Sequence, residues 1–229
     1  MNQEQFEKNI GIEFKDKNLL KQALTHRSYI NENKSLGLEH NERLEFLGDA
    51  VLELVITDFL FSEYQRMNEG EMTSIRSALV NADTCALVAT KLEVNDHLLL
   101  SRGESRDFGR ARQYILANAL EAIIGAIYID QGYSVARDFV LSNITPLAEN
   151  IIKEGRWIDA KSLFQEKAQE HEGFTPLYKT VKESGPDHDK HFTVAVYIGT
   201  EKVALGDGKS KQDAEQEAAR KALENKGWK

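Results

Sequence analysis

Residues 41–61 read NERLEFLGDAVLELVITDFLF, and this stretch decides the fold. It holds no Pro and a single Gly, and its apolar residues recur at helical spacing, which predicts a helix. Leu44, Leu47, Val51, Leu54, Val55 and Leu60 make one broad apolar side, as a helix packed on a core requires. Asn41 is the expected N-cap, and Glu42 and Glu45 in the first turn suit the positive end of the helix dipole. Glu42, Glu45 and Asp49 stand at i, i+3 and i+7, which stacks three acids on one face. Like charges so placed repel. From this helix alone two readings are open: a cation offsets the repulsion, or the acids form an ordinary solvated edge.

Upstream, Lys17 to Thr25 predicts a short helix that ends in Thr25-His26-Arg27-Ser28. His26 is either a ligand or base, or a structural residue bracing the helix end. Downstream, Ile75, Leu79 and Val80 continue a helical pattern, and Asn81 or Asp83 can cap the next helix, which runs through Lys91. Ser101 to Arg112 (SRGESRDFGRAR) is rich in Gly and Arg. It reads as a mobile loop able to meet phosphates, or as a plain solvated loop. Tyr114 to Asp130 (YILANALEAIIGAIYID) predicts a second strongly apolar helix, whose Ala117, Ala119, Ala122, Gly125 and Ala126 permit close packing. Asn118 and Glu121 sit inside it, one turn apart on one face. An acid in that setting needs a partner. Metal coordination opposite Glu45 and Asp49 supplies one, and a buried hydrogen bond is the alternative. A last helix of this half, about Ser134 to Lys153, is interrupted near Pro146.

The chain has 229 residues, long enough for two domains or for one large one, and 41% of them are apolar, enough for real cores. No apolar run approaches the roughly 18 residues of a membrane span, and Met1 to Asn9 shows no signal-peptide pattern. Cys85 is the only cysteine, which excludes a disulfide framework or a Cys-based zinc site within one chain and points to a reducing cytoplasm. The formal net charge of −8 argues against nucleic acid on its face, yet a modest basic patch can still bind phosphate. Residues 159–229 carry 12 Lys and Arg against 13 Asp and Glu, and residues 1–158 carry 17 against 24. The acidic surplus therefore lies in the N-terminal part.

We place the N-terminal domain at residues 1–152, a linker at 153–158 around Gly155, and a second domain at 159–229. In the second domain the periodicity changes. Ala160 to His171 predicts a helix, Leu177 to Lys182 a strand, and Gly185-Pro186-Asp187 a turn. His191 to Gly199 and Lys202 to Asp207 predict two further strands, and Ser210 caps a final helix stopped by Gly227. The order is α-β-β-β-α.

With both parts in view, the chain resembles the bacterial ribonuclease III family of the simple type, one nuclease domain followed by a double-stranded-RNA-binding domain. Glu42 to Leu52 (ERLEFLGDAVL) matches the family's nuclease signature. Leu24 to Ser28, Glu69-Gly70 with Arg76, Leu79-Val80, Leu116-Ala117 and Glu121 to Ala126 support it. The C-terminal part carries Phe164-Gln165-Glu166, Gly185-Pro186-Asp187-His188 and Lys209-Ser210-Lys211. The resemblance implies an all-α N-terminal ribonuclease III domain and a small α+β double-stranded-RNA-binding domain. It implies a homodimer through the central helix, with Phe46 plugged into the partner subunit.

The resemblance further implies a Mg²⁺-dependent endoribonuclease, with Mn²⁺ as a substitute, no small-molecule cofactor and no membrane. Processing of rRNA and mRNA precursors with 5′-phosphate and 3′-hydroxyl ends follows from it. Glu45, Asp49 and Glu121 match metal-binding acids, Asp49 and Glu121 being the catalytic pair. Glu42 and Glu69 match supporting acids. Hard cations held by carboxylates suit phosphodiester hydrolysis, because they stabilise charge on both attacking and leaving oxygens. Gln165, Glu166 and His188 would meet minor grooves, and Lys209 and Lys211 phosphates. Gln212 stands where the family often has Lys. One metal position departs from the pattern: Asn118 replaces an Asp, and an amide oxygen brings no negative charge. The alternative reading is thus a cleavage-impaired double-stranded-RNA binder.

Overall fold

The structure is a computed structural model that describes residues 3–106, 109–155, 157, 159–186 and 190–228, without the Arg110 side chain. The chain divides into two compact units, Met1–Trp157 and Ile158–Lys229. The first is helical: α1 (Gln3–Ile10), α2 (Lys17–Ala23), α3 (Arg27–Glu32), α4 (Glu42–Glu63), α5 (Glu69–Val80), α6 (Ala82–Lys91), α7 (Arg110–Gln131), α8 (Tyr133–Ile144) and α9 (Ala148–Lys153). The break expected near Pro146 is a 3₁₀ turn, Thr145–Leu147, where the proline lacks the N–H a continuing helix needs.

Helix α4 is the predicted central helix, but its faces divide differently from the expectation. Leu44, Val51, Leu52, Val55, Ile56 and Leu60 are buried and pack chiefly along α7. Leu54, assigned to that side from the sequence, is 56% exposed. It belongs to a second apolar stripe with Phe46, 82% exposed, and Phe61, 71% exposed. Asn41 precedes the helix but does not cap it with its side chain. The side chain is buried and donates to the Ala23 carbonyl at 3.2 Å, while its N–H donates to the Thr25 carbonyl. A buried amide goes where its partners are, and here they lie at the end of α2.

Helix α1 was not predicted, since the opening residues look polar. It is held by Phe6, Ile10 and a buried Glu7, which accepts from the Phe14 N–H at 2.8 Å and pairs with Lys17 at 2.6 Å. Asn81 caps α6 by accepting from the Thr84 N–H, as expected.

The second unit is α10 (Ala160–Glu172), strands β1 (Leu177–Ser184), β2 (His191–Ile198) and β3 (Glu201–Gly208), and α11 (Lys211–Lys226). The sheet is antiparallel in the order β1-β2-β3, and both helices cover one face around Phe164, Val196, Ile198 and Ala218. Asp159 caps α10, and Ser210 with Asp213 forms a capping box on α11. Both domains thus have the predicted class, all-α followed by α-β-β-β-α.

Candidate active site

The site is made by a backbone contact. A Cβ built on Gly48 of α4 would lie 1.7 Å from the Glu121 carbonyl oxygen, and one on Gly125 of α7 would lie 2.2 Å from the Leu44 carbonyl oxygen. The two helices therefore touch main chain to main chain, which only glycine permits at those points. Acidic and amide residues at or within one turn of the Gly48–Glu121 contact then gather along the seam. These are Glu45 and Asp49 on α4, and Asn118 and Glu121 on α7.

The electrostatics follow from that crowding. Burial pushes the Glu121 carboxyl up to about 7, and the negative charges of Asp49 and Glu45 add to the shift. Glu45 is raised as well, by burial first, then by Glu42 and Asp49, while a hydrogen bond from Asn118 opposes the rise. The amide of Asn118 thus serves as a donor to Glu45. Cys85 lies near the acids but is chemically inert: burial above all pushes its thiol up to about 12.

Among the described residues, no group of three or more His, Cys, Asp or Glu side chains is gathered closely enough to enclose a metal ion. The acids stand as a facing set across the seam. Their chemistry nevertheless fits a hard divalent cation. Three carboxylates and one amide offer oxygen donors, and their mutual repulsion is the kind a cation relieves.

Glu42 is held by Arg27 at 3.2 Å and approached by His40 Nδ1 at 3.7 Å, an arrangement the sequence did not reveal because the partners come from a loop and from α3. Glu69 is on the first turn of α5, where it accepts from the Thr73 hydroxyl. His26 is the N-cap of α3, accepting from the Ser28 N–H, with its pKa lowered chiefly by burial. The contact gives it a structural role, bracing the start of α3.

The loop expected to meet phosphates is shorter than predicted. Arg112 belongs to α7 and is 8% exposed, donating to Asn95 at 2.8 Å and toward the Glu104 carbonyl. Arg102 and Arg106 remain exposed, and Asp107 and Phe108 lie outside the described residues.

In the second unit Gln165 and Glu166 are exposed on α10, and Lys209 and Lys211 are exposed where β3 gives way to α11. His188 lies outside the described residues. Neither Lys209 nor Lys211 forms an ion pair among the described residues, and Asp213 is occupied by the capping box.

Residues 16–147 match the family described as Ribonuclease-III-like, and residues 160–226 match the double-stranded RNA binding motif. The chain is 43% identical over 220 residues to Ribonuclease 3 of Nitratiruptor sp., covering 96% of this chain and 95% of that protein. It is also 43% identical to Ribonuclease 3 of Borreliella afzelii, covering 96% and 89%. A structure of the nuclease domain of ribonuclease III from Campylobacter jejuni, 43% identical, aligns with a TM-score of 0.58 over 63% of this chain and 97% of that one. The chain belongs to the ribonuclease III family and is an endoribonuclease of that type, acting on double-stranded RNA.

Proposed function

We propose that this endoribonuclease depends on Mg²⁺, accepts Mn²⁺ in its place, and leaves 5′-phosphate and 3′-hydroxyl ends on rRNA and mRNA precursors in a reducing cytoplasm. One observation carries the reading: Glu45 and Asp49 face Asn118 and Glu121 across the seam, with Glu121 pushed up to about 7. When bound, a divalent cation supplies positive charge beside the scissile phosphate. Glu45, Asp49 and Glu121 would hold it, with the Asn118 oxygen as a neutral fourth donor. Asp49 and Glu121 are the catalytic pair in this reading, and Glu42 and Glu69 are supporting acids.

The reading divides the chain into the nuclease domain 1–152, a linker 153–158 and the RNA-binding domain 159–229. It also makes the protein a homodimer. The exposed stripe of Phe46, Leu54 and Phe61 on α4 supports that, with Phe46 seated in the partner subunit. A structure of the Campylobacter nuclease domain is described as having flexibility in a region involved in dimer formation. In the RNA-binding domain, Gln165, Glu166 and His188 meet minor grooves while Lys209 and Lys211 meet phosphates. Changing both lysines to Ala is expected to weaken duplex binding and to lower the slope of log K against log salt by about 2, one for each lost contact. Filter binding at several salt concentrations measures it, and an unchanged slope removes both lysines from the interface.

The deciding experiment is an end-labelled RNA duplex incubated with Mg²⁺ or with EDTA and run on a denaturing gel. Chelator-sensitive shortening is expected. A stable complex with intact RNA overturns the enzyme reading in favour of a cleavage-impaired binder, the reading that Asn118 favours. Restoring the carboxylate tests that residue directly. Asn118→Asp is expected to lower the Mg²⁺ concentration for half-maximal cleavage by about tenfold, since one more charge at contact distance strengthens cation binding. If cleavage at low Mg²⁺ is no faster, the amide is not what limits the site.

A further inference from the structure

The sheet of the second unit has an outer face that its helices leave open, and strand pairing shows which side chains lie on it. A Cβ on Gly206 would lie 2.1 Å from the Ala218 nitrogen, and one on Gly208 2.5 Å from the Ala214 nitrogen, so both positions of β3 point at α11. Their partners on β2, Val194 and Phe192, share that side. Side chains alternate along a strand, so Thr193, Ala195 and Tyr197 face away from the helices. Their partners on β1, which are Lys182, Lys179 and Leu177, face away with them. So do their partners on β3, Asp207, Leu205 and Lys202.

This outer face is apolar and cationic at once. Leu177 is 51% exposed and Leu205 39%, and the ring of Tyr197 is half-buried with the Lys179 ammonium 5.4 Å from its centroid. Lys179, Lys182 and Lys202 are exposed, and none forms an ion pair among the described residues. The nearby acids are engaged elsewhere: Glu183 with Lys190 at 3.1 Å, and Glu201 with Lys226 at 3.3 Å. Asp207 accepts from the Thr193 hydroxyl at 2.6 Å. Three unopposed lysines around exposed apolar side chains, in a chain of net charge −8, are complementary to a polyanion that also offers flat apolar surface. We propose that this outer sheet face binds single-stranded RNA, with a base stacked on Tyr197 beside Leu177 and Leu205 and phosphates on the three lysines. A sheet of this size takes about two or three bases. A duplex hides its base faces, so stacking on Tyr197 selects an unpaired strand, and it does so whatever the base. The Lys179 contact on the ring is weak at an exposed site, so the base can take the ring while the phosphate beside it takes the ammonium. None of the residues assigned to duplex contacts lies on this face, and the inference does not rest on them. In a precursor transcript, the strand that leaves a duplex is such a ligand.

The test is fluorescence anisotropy on the full chain in EDTA, with a labelled oligouridylate of about twelve nucleotides as the probe. The chain is first saturated with a short unlabelled RNA duplex, which occupies the duplex contacts. The single strand is expected to bind all the same, with log K falling against log salt at a slope of about 2, the value for three phosphate contacts. Failure to bind beside the duplex overturns the inference. Tyr197→Leu keeps the apolar bulk and removes the stacking surface. It is expected to weaken single-strand binding about tenfold. Lys179→Gln, Lys182→Gln and Lys202→Gln together should flatten the salt slope. Both variants should bind the duplex as the parent chain does, which shows that the unit is folded. A single-strand affinity that neither variant changes, or a loss that the duplex shares equally, overturns the inference. So does displacement of the probe by polyglutamate as readily as by unlabelled oligouridylate, since that marks a surface for acidic peptides.

Discussion

Gly48→Ala is expected to abolish cleavage and to destabilise the N-terminal domain by more than about 3 kcal/mol, at or beyond the upper end of ordinary overpacking. The added methyl would occupy space 1.7 Å from the Glu121 carbonyl oxygen, and the obstacle is backbone, which cannot rotate aside. The neighbouring contacts, Glu121 C at 2.6 Å and Gly125 N at 2.8 Å, close the other directions. Close-packed interiors transmit such a shift, so α4 must move away from α7 along their whole contact. Even a partly folded variant would then separate Glu45 and Asp49 from Asn118 and Glu121. Thermal unfolding followed by circular dichroism measures the first effect, and single-turnover cleavage measures the second. Gly125→Ala, with its methyl 2.2 Å from the Leu44 carbonyl oxygen, should behave alike. A Gly48→Ala protein with native melting and full activity would show that the seam is slack and that the site does not depend on it.

Glu121→Gln is expected to give the opposite pairing of effects, a lower rate with a more stable fold. Losing one carboxylate from a hard-cation site removes several kcal/mol of charge stabilisation, so cleavage should fall about a thousandfold while duplex binding persists. The stability gain follows from the sign of the shift. Glu121 titrates near 7 in the folded chain against 4.5 for an unperturbed Glu, so between those values the folded state holds a proton that the unfolded state has released. Stability therefore falls as pH rises from about 4.5 to 7, and the full penalty persists above 7. Gln carries no charge and escapes it. Melting temperatures in EDTA at pH 5 and pH 8 should differ less for Glu121→Gln than for the parent chain, with the gain at pH 8. Equal pH dependence in both would remove Glu121 as the source of the strain.

Much of this site could be read in the sequence because its signals are local. Glu42, Glu45 and Asp49 declare a shared face by spacing alone, and Asn118 with Glu121 stands out against an apolar run. What the spacing could not give was distance. That α4 and α7 meet at Gly48 depends on which helices become neighbours, and a lone Gly inside a helical pattern is read first as a weak point. Leu54 failed for a related reason. An apolar count along one helix cannot separate a buried side from a second stripe, and α4 has both. Arg112 was placed with its Arg-rich neighbours in a loop. Its burial depends on Asn95 and the Glu104 carbonyl, partners that no window around residue 112 contains. The second domain was read more completely because its turns and caps, Gly185-Pro186, Ser210 and Gly227, punctuate the chain where the elements end.

The glycine seam also bears on the order in which this enzyme comes into being. Glu45 and Asp49 lie far from Glu121 in the chain, and they acquire their relation only when α4 and α7 dock. Loop closure over such a separation is slow compared with forming either helix alone. During synthesis the acids of α4 emerge well before their counterparts, so a nascent or truncated chain would carry the nuclease signature without a nuclease. A cell full of RNA is thereby spared a half-made ribonuclease, because neither helix carries the whole acid set and the cutting site exists only once α4 and α7 have docked.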